Sequence, residues 1–114
     1  MDIKRILEER VLVIDGAMGS MIQQYKLTEA DFRGERFKDF PHDQKGNLDI
    51  ISITKPEVVE AIHIKYLEAG ADIIETNTFS ATRISLADFG LQDYAYEVNL
   101  AAAKTARSAV HKFM

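Results

Sequence analysis

Apolar residues form two kinds of run along this chain. The first kind is short and unbroken. Val11 to Ile14 sets four aliphatic residues in a row, three of them β-branched. The stretch Ala71-Asp-Ile-Ile-Glu-Thr-Asn77 does much the same about sixty residues later. Such runs predict strands covered on both faces, as in a parallel sheet. The second kind recurs at helical spacing. Ile3, Ile6 and Leu7 predict a short amphipathic helix over residues 2–9, with Asp2 as its cap. Val58, Val59, Ile62, Tyr66 and Leu67 make a longer stripe. Thr54 is the expected cap of that helix, Glu57 completes a capping box, and Pro56 fits the first turn. Gly70 predicts its end. His63 belongs to the same helix and is expected to be partly exposed.

Three further helical stretches follow from the pattern. A short turn comes after Gly16, through Met18, Met21 and Ile22. Another stretch runs from Ser80 to about Phe89 and stops at Gly90. Residues 93–112 form a long Ala-rich helix with Tyr94, Val98, Ala101, Ala102, Thr105 and Ala109 near one face. Residues 24–50 break the pattern, with Gly34, Pro41, Gly46, Phe32, Phe37, Phe40 and many charges. A loop of that length has two readings: a surface loop anchored by its aromatics, or a lid over a site. The order is helix, strand, loop, helix, strand, helix, helix. Two strands joined by a helical crossover predict a right-handed parallel βαβ unit, hence an α/β fold in one domain.

Composition narrows the function. The 114 residues are 46% hydrophobic and 28% charged, as in a globular domain. A net charge of −4 argues against nucleic acid or an anionic membrane surface as partner. Lys104, Arg107 and Lys112 read as a solvated helix face. With no cysteine, disulfides and cysteine-based metal sites are excluded within these residues. The charged N-terminus is unlike a signal peptide, and no apolar run reaches the length of a membrane span. The expected location is cytoplasmic, with no membrane partner.

Candidate chemistry gathers at the strand ends, where parallel α/β folds place their sites. The first strand runs into Asp15, Gly16, Ala17, Met18 and Gly19. The second runs into Glu75, Thr76, Asn77, Thr78 and Phe79. Gly16 and Gly19 allow close approach of backbone to ligand. A carboxylate beside free amide N–H groups suits a zwitterion such as an amino acid. Asp-Gly also occurs at strand ends for turn reasons alone, so both readings stand. Alternation puts Glu75 and Asn77 on one face and Thr76 and Thr78 on the other. Other chemistry has little support. His42, His63 and His111 lack metal-ligand spacing, no phosphate loop is present, and Ser20 and Ser52 lack the partners of a nucleophilic triad.

The segments "VIDGAMGSMIQ", "FRGERFKD", "KGNLDIISITKPEVVEAIHIKYLEAGADIIETNTFSAT" and "EVNLAAAKTAR" resemble one family. They are similar to the homocysteine S-methyltransferases, in particular to the N-terminal homocysteine-binding domain of cobalamin-dependent methionine synthases. The resemblance runs from about Ile6 to Ala109. It implies a (β/α)8 TIM barrel, which takes about 250 residues. The chain is then expected to be the N-terminal portion of such a domain: residues 1–114, about two βα units. The implied reaction passes a methyl group from methyltetrahydrofolate through cobalamin to zinc-bound homocysteine. Zinc would hold the sulfur as thiolate. The family's three cysteine ligands are missing here, so no metal ligand or catalytic residue is expected in this segment. The implied partners are homocysteine, the rest of the barrel, and folate and cobalamin domains elsewhere in a longer protein. By the same resemblance Asp15 lies near the homocysteine amino group. The backbone of Gly16, Ala17, Met18 and Gly19 receives the carboxylate, and Thr76, Asn77, Thr78 and Phe79 line the pocket. A rival reading is a non-enzymatic βα module that self-associates or docks on a partner through an exposed sheet edge.

Overall fold

The computed structural model describes residues 2–114. Seven α-helices follow one another: α1 Ile3–Glu9, α2 Gly19–Gln23, α3 Glu29–Arg33, α4 Ile51–Thr54, α5 Pro56–Glu68, α6 Arg83–Leu86 and α7 Ala95–Phe113. Short 3₁₀ turns at Leu48–Ile50, Ala87–Phe89 and Gln92–Tyr94 lead into or extend them. The expected α/β architecture is not found. The two strand segments touch at a single parallel bridge, Ile14 to Ile73, and the described residues hold no sheet. The chain is mostly helical and is not a portion of a (β/α)8 TIM barrel.

The reason lies in where the neighbouring N–H groups go. A parallel ladder needs each strand to donate to the other at every second residue. The bridge itself has this pattern, with Ile73 N–H donating to Val13 C=O at 3.2 Å and Asp15 N–H to Ile73 C=O at 2.9 Å. One step upstream, Val13 N–H donates to the Asp72 carboxylate at 2.9 Å. Ala71 N–H there closes the end of α5 by donating to Tyr66 C=O at 3.0 Å. With Gly70 N–H on Leu67 C=O and Gly70 at φ +108°, this is a Schellman stop. One step downstream, Glu75 N–H donates to Asp15 Oδ2 at 3.1 Å. Side chains and a helix end have taken the donors that a longer ladder would use. The aliphatic runs are not covered either: Val11 is 82% exposed, Val13 54% and Ile14 56%.

The core lies among the helices. Val58, Val59, Ile62 and Leu67 of α5 are buried, as the stripe predicted. They face α7, whose Val98, Ala102, Thr105, Ala106 and Ala109 are buried in turn. The alanines let two helices run close together, and Lys112 pairs with Glu60 across them at 2.7 Å. Two local expectations fail. Thr54 ends α4 and its hydroxyl donates back to Ile50 C=O, so α5 starts at Pro56 without a side-chain cap. His63 is fully buried. In α1, Asp2 caps as expected by accepting from Lys4 N–H, but Ile3 and Leu7 stay exposed.

Residues 24–50 pack as a surface segment tied down by its own side chains. Thr28 and Asp31 form a capping box at α3. The Arg33 guanidinium donates to the carbonyls of Phe37, Lys38 and Phe40 and pairs with Asp43. Glu29 takes Arg33 Nε and the N–H groups of Gln44 and Lys45. Phe32 and Phe37 are buried, and Phe37 meets Tyr94 edge-on at 5.4 Å. Arg36 stacks over both rings and pairs with Glu97. The aromatics anchor the segment, as the surface-loop reading held.

Ile62→Ala should cost about 2–5 kcal/mol in chemical denaturation, since a fully buried side chain between α5 and α7 is emptied. Hydrogen bonds from Arg10 and from Val13 N–H hold the Asp72 carboxyl down to about 2, from an ordinary 3.8. A depressed carboxyl stabilises the fold above its unfolded value and loses that contribution as pH falls through its folded value. Asp72→Asn should therefore melt lower than the parent at neutral pH. The gap should close between pH 3.8 and about 2. A constant gap across that window in melting curves would contradict the assignment.

Candidate functional site

The bridge at Ile14 and Ile73 sets two loops side by side. Residues 15–20 leave one segment and residues 75–79 leave the other. Between them lies an open cavity of about 640 Å³, lined by Asp15, Gly16, Ala17, Met18, Gly19, Ser20, Leu48, Asp49, Glu75, Thr76, Asn77, Thr78 and Phe79. This is the size range of small-molecule sites. All nine residues singled out from the sequence lie on its wall.

Their roles differ. Asp15 is half-buried. Its Oδ2 accepts from Glu75 N–H, and its Oδ1 is buried with no protein partner. Gly16 passes over the ring of Tyr66, where a Cβ would come within 3.2 Å of the phenol oxygen. The Tyr66 hydroxyl donates to Ala17 C=O at 2.6 Å and ties the turn to α5. Gly19 starts α2 with its Cα close to Leu48, leaving a Cβ only 3.2 Å from Cδ1. Among the described residues, the N–H groups of Gly16, Ala17 and Met18 have no hydrogen-bond partner. Asn77 is buried, and its Nδ2 donates to Leu48 C=O at 2.9 Å and Ser52 Oγ at 3.4 Å. It fastens the wall together and keeps only its carbonyl oxygen for a ligand. The Thr76 and Thr78 hydroxyls share one hydrogen bond of 2.7 Å. Phe79 is fully exposed at the rim.

Alternation fails at this edge. Glu75, Thr76, Asn77 and Thr78 all reach the cavity wall, because Thr78 N–H turns back to Thr76 C=O at 2.9 Å and curls the segment. Period two holds only while the chain is extended. Four lining residues had no role assigned from the sequence: Ser20, Leu48, Asp49 and Glu75. Ser20 directly follows the glycine turn and was legible. Leu48 and Asp49 stand far off in sequence, at the end of the 24–50 segment, and no local pattern marks them. Asp49 is buried, its Oδ2 accepts from Ser80 N–H at 2.7 Å, and burial pushes its carboxyl up against that bond's pull.

The lining carries three carboxylates, Asp15, Asp49 and Glu75, and no Lys, Arg or His. Such a field favours a ligand with a cationic group. An anionic group has only backbone N–H and the Ser and Thr hydroxyls to meet it. The site therefore fits a small molecule that joins an ammonium to a carboxylate.

The comparison with protein families agrees with that class. The family model described as homocysteine S-methyltransferase matches residues 12–114, and the chain belongs to this methyltransferase family. The family acts on homocysteine and binds zinc. The residues present do not fit a thiolate zinc site. The chain has no cysteine, and no three His, Asp or Glu side chains among the described residues are placed to hold a metal ion. No methyl-transfer step is assigned to them. No helix among the described residues is long and apolar enough to cross a membrane.

Asn77→Ala should lower stability by about 1–3 kcal/mol, because Leu48 C=O and Ser52 Oγ lose their shared donor. Urea titration measures it; no change in midpoint would show that Asn77 does not hold the wall.

Proposed function

We propose that the cavity between residues 15–20 and 75–79 is part of a homocysteine pocket. The chain is read as a segment of a cobalamin-dependent methionine synthase. In that protein a methyl group passes from methyltetrahydrofolate by way of cobalamin to homocysteine, giving methionine. Residues 1–114 form part of the homocysteine-binding domain. Folate, cobalamin and zinc are held by other parts of such a protein, in the cytoplasm. The single observation that carries the substrate reading is the pairing of Asp15 with unpartnered backbone N–H groups on one cavity wall.

In this reading the ammonium of homocysteine sits against Asp15, where Glu75 and Asp49 add to the negative field. The carboxylate meets the N–H groups of Gly16, Ala17 and Met18, in the turn that Tyr66 holds still. The side chain extends past Met18 and Leu48, with the Thr76 and Thr78 hydroxyls and Phe79 around it. These residues bind and orient; they form no bond to the methyl group. Orientation is itself a contribution, because a fixed substrate lowers the entropic part of the barrier.

Asp15→Asn keeps the shape and removes the charge. A hydrogen bond to a charged group contributes about 1.5–3 kcal/mol, so homocysteine affinity should fall roughly ten- to a hundredfold. Calorimetric titration of the intact protein with homocysteine reads this directly. Equal affinity in the variant would remove Asp15 from the pocket.

A further inference from the structure

Behind the cavity wall, α5 buries a polar side chain that the site description has not used. His63 is fully buried, and neither ring nitrogen has a hydrogen-bond partner. A neutral imidazole carries one N–H and one lone pair, and buried polar groups are almost always paired. A second buried polar atom without a protein partner is Asp15 Oδ1. The α5 register and the Tyr66–Ala17 bond put the two on the same side of α5, within range of each other's charge. His63 and Tyr66 are three residues apart and so share a face of α5. Tyr66 reaches Ala17 from that face, and Asp15 is two residues before Ala17. Burial lowers the His63 pKa, and the charges that act against it are Asp15 first and Glu60 second. Glu60 is already paired with Lys112.

We propose that His63 is the positioning residue for Asp15: its ring N–H holds the inward carboxylate oxygen through one bridging water, and so fixes the carboxylate that meets the substrate ammonium. The inference rests on the homocysteine reading of the cavity. Asp15 then has both oxygens assigned. Oδ1 is held from behind by His63, and Oδ2 is held by Glu75 N–H at the edge of the wall. A carboxylate gripped at both oxygens needs no reorganisation when the ligand arrives. The histidine touches no substrate. It carries the order of the α5–α7 core to the cavity.

The test uses three His63 variants and one spectrum. His63→Leu removes the N–H at similar volume, and His63→Asn and His63→Gln return a donor. The leucine variant should melt near the parent yet bind homocysteine roughly tenfold more weakly. At least one amide variant should recover most of that loss, which a merely structural role does not explain. The spectrum is the ¹⁵N-detected signal of the His63 ring. It should show a neutral ring with one proton, and its shift should move in Asp15→Asn. A ring signal that is the same in parent and Asp15→Asn would overturn the proposal, whether or not the leucine variant folds. So would parental affinity in His63→Leu. Unchanged affinity in Asp15→Asn with a shifted ring signal sinks the cavity reading but keeps the His63–Asp15 contact. Weakened binding in Asp15→Asn with an unmoved ring signal sinks the contact alone.

Discussion

Two aspartates hold this molecule's distant halves together, and they do so by taking the place of backbone. Asp72 accepts Val13 N–H before the Ile14–Ile73 bridge, and Asp15 accepts Glu75 N–H after it. A carboxylate with a partial hold on backbone N–H is a strong acceptor, stronger than a neutral carbonyl. Each aspartate therefore ends the pairing and pins it. Asp72 is pinned in turn by two hydrogen bonds of 3.0 Å from Arg10. Together with the backbone bonds of the bridge, this arrangement sets residues 15–20 and 75–79 facing each other. The cavity exists because the ladder stops after a single bridge.

A further part of the wall comes from residues 24–50. Besides pairing with each other, Arg33 and Glu29 satisfy six backbone or side-chain groups, which lets an irregular stretch lie against the core. Its far end delivers Leu48 and Asp49 to the cavity, where Asn77 and Ser80 fasten them. One buried amide and one buried carboxylate thus join parts of the chain about thirty residues apart, at a place where a sheet would have used repeated backbone bonds.

The site is acidic for a family that handles an amino acid with a net charge near zero. In the proposed pocket its three carboxylates and its free amides would divide the work: charge for the ammonium, backbone for the carboxylate. Backbone donors suit this because they are fixed by the turn and cannot swing away, as Tyr66 shows by holding Ala17. Membership of the homocysteine S-methyltransferase family gives the class of chemistry, and Asp15, Gly16 and Asn77 line the cavity proposed for its substrate.

Much of this was legible in the residues alone. The stripe of α5, the Gly70 stop, the buried face of α7, the Asp2 cap and the nine cavity residues all follow from short-range pattern or motif. Helical periodicity is a local property, fixed by neighbours three and four residues apart. So is the placing of polar groups after an apolar run. Only the tertiary structure decided that Val11–Ile14 and Ala71–Asn77 would meet at a single bridge and not in a sheet. That outcome depends on which acceptor each N–H finds, and two of the winners, Asp72 and Asp15, act across about sixty residues of chain. The same holds for His63 and Asp49. Their burial is decided by what packs over them, and no spacing in the sequence records which distant element that will be.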